Sequence, residues 1–312
     1  METLSKLASE NKVLGIAVAV VLVLLIPWLR RSLSKKARDR YLAKPASPTL
    51  AIAKKELAVY LTTPWAWIVF TVMAFVSAAS FVFFLIRFQE VQTIAKQVGW
   101  QRIGSGAEEF RNLTDGVVVN QWGFLLIVLL FLVPVLAMGL FAKEKETRTM
   151  ELLMTAPVRS AHIVLGKYLG GVGIALCTIG STLVYPIVLS LYGNSESGSA
   201  LEWSTVLLGY GALLIWSATW IAIGMLISSL TESQLLAVVV TIVIGLLWLL
   251  LDGFAGGAEE PARSVLKYLS FGAQLQNPLK GVLDLKPLVF FGSIITLCLL
   301  LTHRSVESQR WS

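Results

Sequence analysis

The sequence predicts an all-α polytopic membrane protein. Of its 312 residues, 56% are hydrophobic and only 14% are charged, and the mean hydropathy is +0.74. Soluble chains average about a quarter charged residues, and one soluble core could not bury this much apolar surface. The same composition excludes a disordered chain, which requires high charge and few large apolar residues. Because the apolar runs are continuous rather than alternating, they favour spanning helices over the strands of a membrane barrel.

Seven apolar runs are long enough, or nearly so, to cross a hydrocarbon layer of about 30 Å at about 1.5 Å per residue. In chain order they lie at about 13–29, 65–87, 121–142, 168–192, 204–229, 235–253 and 287–302.

The first run resembles a secretory signal in length, but Arg30 and Arg31 follow it and no small-residue cleavage site ends it. We therefore expect a retained N-terminal anchor. On this interpretation residues 1–46 form a transmembrane anchor with a basic cytoplasmic linker. Residues 47–312 form a second unit, which contains the six remaining spans.

Lysine and arginine residues indicate the orientation. Their two densest clusters lie at 30–55 and 143–159, on the same side of the membrane if the spans alternate. We expect that side to be cytoplasmic, with the N-terminus outside and the C-terminus inside. The formal charge of +7 then reflects topology and attraction to anionic lipid, and it does not indicate a nucleic-acid partner.

A helix is predicted between Ser47, a suitable N-cap followed by proline, and Pro64, which stops it after Thr63. One stripe of this helix is apolar and consists of Leu50, Ala53, Leu57, Ala58 and Leu61. Three charged residues lie off that stripe, namely Lys54, Lys55 and Glu56. The segment is either a helix lying in the membrane interface or a basic flank of the next span, and both interpretations remain open.

The loop after the third run combines mixed charge with an apolar patch. Glu144 and Arg148 have the i, i+4 spacing that supports a helix, and Pro157 ends it. The patch contains Met150, Leu152, Leu153 and Met154. Such a polarizable apolar surface either folds back onto the bilayer or fills a groove on another protein.

The later segment 254–286 contains a short amphipathic helix pattern at 262–269. This pattern could dip into the outer half of the membrane, whereas a solvated loop is the alternative.

Sequence patterns for catalysis or cofactor binding are missing. Gly166-Lys167 is followed by Tyr168 and lacks the upstream glycine of a phosphate-binding loop, and His162 and His303 have no metal-binding spacing. Acidic residues are nearly missing from the spans, which disfavours a proton- or sodium-driven carrier and an intramembrane enzyme. Gly166 and Gly170 have the spacing of closely packed helices, and we expect ordinary packing there.

Four short segments lie in or next to the charged loop: FLVP at 131–134, KEK at 143–145, TMELLMTAP at 149–157 and VLGKY at 164–168. Together they resemble the signature of ABC-2 type permeases, the membrane subunits of ABC transporters. KKEL at 54–57, with Pro64, is similar to the elbow helix of that family. GVLDL at 281–285 and ESQRW at 307–311 resemble its gliding-motility-associated branch. The likeness covers about residues 48–312.

The resemblance implies a six-helix transmembrane core plus one extra N-terminal helix, with an amphipathic elbow helix at about 48–63 and a cytoplasmic coupling helix at about 144–156. ATP and Mg²⁺ would then bind a separate ATPase subunit, with no cofactor and no catalytic residue in this chain. The other expected partners are membrane lipid and a second permease subunit, either an identical or a similar chain. Where the family has glycine before the threonine of the coupling helix, this chain has Arg148.

The function implied is that of an exporter permease in a bacterial inner membrane, driven by ATP hydrolysis on its partner. A membrane scaffold that recruits a cytoplasmic partner without transport is the alternative. The residues expected to couple to the ATPase are Glu144, Glu146, Arg148, Met150, Glu151, Leu152 and Leu153. The elbow residues implied are Lys54, Lys55, Glu56 and Leu57.

Overall fold

The computed structural model describes residues 47–100, 109–151, 158–192, 201–257 and 259–309. The predicted first span at 13–29, and with it the proposed anchor over 1–46, lies outside the described residues.

The described chain is built from eleven α-helices. In order they are α1 (Pro48–Thr62), α2 (Pro64–Val98), α3 (Asn120–Ala137), α4 (Ala142–Glu146), α5 (Ser160–Ser181), α6 (Val184–Tyr192), α7 (Trp203–Leu230), α8 (Gln234–Gly257), α9 (Ala262–Leu269), α10 (Phe271–Leu279) and α11 (Leu285–Ser308). A π-helix, Thr114–Val119, leads directly into α3. The described residues contain no strand, so the predicted all-α class is confirmed.

Six helical segments are long and apolar enough to cross a membrane. They are Ala66–Val98, Thr114–Glu146, Ser160–Ser190, Trp203–Leu230, Gln234–Leu251 and Leu285–Ser308. Each contains most of one predicted span, so the six-helix core is confirmed. The third segment begins eight residues before the predicted start at 168, because Lys167, which suggested a membrane edge, is buried within it.

Helix α7 lies at the centre of the bundle. Of its most apolar stretch, 78% is buried within the chain, against 17% for α8 and 28% for the last span. Trp216 and Trp220 of α7 stack edge-on against Phe271 of α10, with ring centroids 5.0 and 5.8 Å apart. The segment after α8 is therefore not a purely solvated loop, since α10 inserts into the bundle, although no residue of α9 is buried.

Helix α1 begins and ends where its sequence predicts. The Ser47 hydroxyl accepts a hydrogen bond from the amide of Leu50 at 3.4 Å, and Pro64 starts α2 directly after Thr63. The prediction that Glu56 lies on the polar side is wrong, because Glu56 is buried whereas Leu50, from the predicted apolar stripe, is exposed. The helix turns Glu56 towards α5, where a buried lysine pairs with it.

Two glycines of α5 let α1 approach closely. A Cβ on Gly166 would lie 2.7 Å from the Ile52 Cβ, and a Cβ on Gly170 would lie 2.6 Å from the Glu56 Cβ. Such distances cannot be occupied without moving a helix. The predicted small-residue spacing therefore serves the contact between α1 and α5.

We expect Gly170→Ala to separate α1 from α5 and to destabilise the protein by about 1–3 kcal/mol, the usual cost of overpacking. The melting temperature in detergent measures the effect. Gly180→Ala is the matched control, because it lies in the same helix and its added Cβ meets nothing within 4 Å. Equal melting temperatures for the two variants would contradict the close approach.

Candidate functional site

Three helices meet at one end of the bundle around a single buried cation. The Lys167 Nζ of α5 lies 3.1 Å from the Glu56 Oε1 of α1 and 2.8 Å from the Glu144 Oε1 of α4. Lys167 is only 1% exposed, and its ammonium also lies 5.2 Å from the centroid of the Phe141 ring. We call Glu56, Glu144 and Lys167 the ion triad.

The neighbouring sequence explains how the triad forms. Gly170 lies one turn beyond Lys167, and its missing side chain lets Glu56 come within reach of the ammonium. Tyr60 lies one turn beyond Glu56, and its hydroxyl donates to the Leu136 carbonyl oxygen at 2.5 Å. Burial, with a smaller contribution from Glu56, raises the pKa of Tyr60, so its phenol stays protonated and able to donate.

The ion triad contains two carboxylate groups but only one ammonium group. Glu144 Oε2 is buried and has no hydrogen-bond partner within the described chain. Buried charges require both pairing and complete hydrogen bonding, so removing one partner is far more costly than removing all of them.

Helix α4 is also tied to α7. The Ser228 hydroxyl accepts hydrogen bonds from the amides of Phe141 at 3.1 Å and Ala142 at 2.8 Å, and it donates to the Met138 carbonyl at 2.8 Å. These bonds satisfy amides at the start of α4 that have no partner within the helix. They fix the position of α4 against the centre of the bundle.

The next residue, Ser229, connects α4 to the last helix. Its carbonyl oxygen accepts hydrogen bonds from the Lys145 ammonium and from the Gln309 amide at 3.2 Å. On the other side of α4, the Gln234 amide of α8 donates to Glu146 Oε2 at 2.6 Å. Four of the five residues of α4, namely Ala142, Glu144, Lys145 and Glu146, therefore contact α5, α7 or α8 directly. Through shared partners the helix is also connected to α1 and to the end of α11.

The predicted helix over about 144–156 is interrupted. Helix α4 ends at Glu146, residues 147–149 form a turn, and the chain is helical again at Met150. Arg148 has φ 54, which makes it the one non-glycine residue with positive φ in the described part of the chain. It therefore adopts the conformation that the glycine expected here from the family resemblance would adopt at little cost.

The expected coupling residues fall into three groups. Glu144 is half-buried and Glu146 is exposed, and both are paired as described, whereas Met150 is 9% exposed and packs in the main core. Arg148 and Glu151 are exposed. Leu152 and Leu153 lie outside the described residues.

The expected elbow residues are also divided. Glu56 belongs to the triad, whereas Lys54 and Lys55 are exposed and have interactions of their own. Leu57 is half-buried and packs with Val69 and Ile174 in a small second core.

Sequence reasoning missed Lys167, Ser228, Ser229 and Gln234 as members of this site. The one available signal was Lys167, a charge between two glycines at the start of an apolar run. Among the residues that the structure describes, no group of histidine, cysteine, aspartate and glutamate side chains could hold a metal ion.

A family model described as ABC-2 family transporter protein matches residues 50–302. The chain belongs to this family. An ABC-2 transporter permease is a membrane transport component and is not itself catalytic. With six helices of spanning length among the described residues, this chain is a multi-pass membrane protein. The match extends to the family only, so the gliding-motility branch stays a prediction. A comparison with curated proteins gave no match.

In this ABC-2 permease we expect Lys167→Met to lower stability by about 3–5 kcal/mol, because the buried Glu56 and the half-buried Glu144 would lose their shared cation. Combining it with Glu56→Gln and Glu144→Gln should recover most of the loss, since no uncompensated charge would remain. Melting temperatures of the purified chain in detergent test both expectations. A triple variant no more stable than Lys167→Met would contradict the electrostatic account.

Arg148 allows a separate test of the backbone at the interruption. Arg148→Gly and Arg148→Ala both remove the guanidinium, but only glycine tolerates φ 54 without the cost of about 1–2 kcal/mol that other residues incur. We therefore expect the glycine variant to melt at the higher temperature. The opposite order would show that Arg148 is not held in the left-handed conformation.

Proposed function

We propose that this chain is the permease subunit of an ABC exporter and that its coupling segment, about residues 144–156, docks on a separate ATPase subunit. The observation that carries the proposal is the connectivity of α4. It contacts α5 and α7 and binds α8, so a force applied to this short helix reaches most of the core. The family assignment supports an ATPase partner in general.

The apolar side chains would fill a groove on the ATPase, and the exposed charges of Arg148 and Glu151 would orient the contact. ATP and Mg²⁺ bind the ATPase in this scheme. Closure of an ATPase pair moves the docked segment, and the triad transmits the movement to α1 and α5. The docked segment must bind one transporter state better than the other, because equal affinity would shift nothing.

Two permease subunits, identical or similar, would surround one pathway in a bacterial inner membrane. The basic clusters favour a cytoplasmic position for the α4 end, which places the N-terminus outside and the C-terminus inside. Lipid surrounds the exposed apolar faces of α8 and α11. No nucleic acid takes part in this proposal.

Replacing both Leu152 and Leu153 by aspartate should abolish stimulation of the ATPase by the permease, because two charges cannot be desolvated in an apolar groove. The measurement is ATP hydrolysis by the ATPase co-purified with the chain and reconstituted in lipid. Membrane insertion and melting temperature should not change. Replacing the same two leucines by methionine is the matched control, since it keeps apolar volume and should retain stimulation.

Unchanged stimulation in the aspartate variant would contradict docking through this segment. If wild-type chain binds the ATPase yet neither stimulates it nor moves any cargo, the scaffold function is correct instead.

A further inference from the structure

Helices α9 and α10 connect two spans at the membrane face opposite α4. Helix α7 has its last turn at α4, where Ser228 forms hydrogen bonds, and α8 begins there, where Gln234 binds Glu146. Helix α11 returns to the same end, since Gln309 directly after it binds the Ser229 carbonyl. The segment between α8 and α11 therefore lies towards the opposite membrane face, which we call the far face.

Phe271, the first residue of α10, lies well below the far face. Its ring centroid is 5.0 Å from that of Trp216 of α7 and 4.3 Å from that of Trp248 of α8. Each tryptophan is fourteen residues from the α4 end of its helix, Leu230 or Gln234, which is about 21 Å at about 1.5 Å per residue. Because a hydrocarbon layer is about 30 Å thick, Phe271 lies roughly 9 Å inside it from the far face.

The chain reaches this depth from the far face and returns to the same face. Helix α9 runs back along α8, because the Trp248 indole, nine residues before α8 ends, donates to the Leu269 carbonyl at 2.6 Å. After α10, Gly281 packs directly against Thr205, two residues from the start of α7. Helices α9 and α10 therefore form a re-entrant hairpin with its tip at Ser270.

Backbone groups at the tip have partners within the chain, as the hydrocarbon layer requires. The Ser270 amide donates to the Leu266 carbonyl at 2.9 Å, and the Ser270 hydroxyl accepts from the Ala273 amide at 3.0 Å. The Gln274 side chain donates to the Tyr268 carbonyl at 2.9 Å. Ser270 itself is fully buried. The tip is therefore suited to a position away from water.

Helix α9 has two opposite surfaces that the bundle leaves exposed. Arg263 and Lys267 are four residues apart on one side, and neither has a salt bridge to another described residue. Val265 and Leu269 share the other side and are 57% and 40% exposed. The apolar side requires hydrocarbon and the cations require water or anions, so this helix suits the boundary between acyl chains and headgroups.

The two cations lie at the depth of lipid phosphates. Lys267 is two residues from Leu269 at the deep end of α9, and its long side chain can extend its ammonium towards the headgroups. Arg263 lies one turn nearer the far face. Glu259 and Glu260 precede the outer end of the helix. The anions that the bilayer itself supplies at the level of the cations are phosphates.

We propose that α9 binds an anionic phospholipid of the leaflet at the far face. Arg263 and Lys267 donate to the phosphate oxygens, and Val265 and Leu269 contact the acyl chains. A zwitterionic lipid offers the same phosphate, but its own cation offsets the phosphate charge and weakens the attraction. The bound lipid holds α9 at the membrane surface and thereby supports the re-entrant tip.

The first test is retention of phosphatidylglycerol by the purified chain in detergent, measured by native mass spectrometry against chain-matched phosphatidylcholine. The double variant Arg263→Gln/Lys267→Gln should bind phosphatidylglycerol at least about tenfold more weakly than the wild type, since each basic residue near anionic lipid contributes roughly a factor of five. Lys280→Gln/Lys286→Gln is the matched control. It removes the same charge from exposed residues at the same face, and it should retain the lipid.

The second test measures the depth of α9 with spin labels in nanodiscs that contain phosphatidylglycerol. Labels are attached to Val265→Cys or to Ser264→Cys in a chain that also carries Cys177→Ala and Cys298→Ala. We expect the Val265 label to be accessible to oxygen and protected from an aqueous nickel reagent. The Ser264 label, on the polar side, should show the reverse. Both labelled chains keep Arg263 and Lys267, so this result does not depend on the folding of the charge variants.

Equal loss of phosphatidylglycerol from the two glutamine double variants would indicate general charge attraction and would overturn the proposal. If nickel reaches both labels, the segment is a solvated loop. If neither reagent reaches either label, a second copy of the chain covers α9, and either result overturns the proposal as well. No ATPase is present in these experiments, so their failure would leave the proposed docking unaffected.

Discussion

The ammonium of Lys167 is the interaction on which the architecture of the α4 end depends. Within the membrane-spanning bundle a lone lysine would be expelled to the surface, because the free-energy cost of burying an unpaired charge is prohibitive. Glu56 of α1 and Glu144 of α4 offset that cost because their carboxylates pair with the Lys167 ammonium. The positions of α1 and α4 are therefore consequences of one buried charge.

The close contact of α1 with α5 and the charge network depend on each other. Without the glycines of α5, α1 could not bring Glu56 to the Lys167 ammonium. Without the Glu56 carboxylate, the contact of α1 with α5 would lose its ion pair. The apolar residues of α1 alone would have placed it differently, since Leu50 of the predicted apolar stripe is exposed. A small-residue surface in one helix thus determines which face of another helix is buried.

The hydrogen bonds of Ser228 and Ser229 hold α4 against α7. A short helix held by side chains and carbonyls of several spans cannot move by itself, whereas a surface loop of the same length could. In an ABC-2 permease this rigidity is useful where a motor protein would act. Among the described residues of this network, the buried Glu144 Oε2 lacks a hydrogen-bond partner.

Hydropathy and cap residues were sufficient to place six spans and the ends of α1, and short motifs were sufficient to indicate the family, because each is a property of a continuous stretch of chain. The sequence also identified Glu144 and Glu56 as members of important segments, though with the wrong orientation for Glu56. The partner of those carboxylates could not be found in this way. Lys167 is 111 positions from Glu56 and 23 from Glu144, and only the packing of α1, α4 and α5 brings these charges within bonding distance.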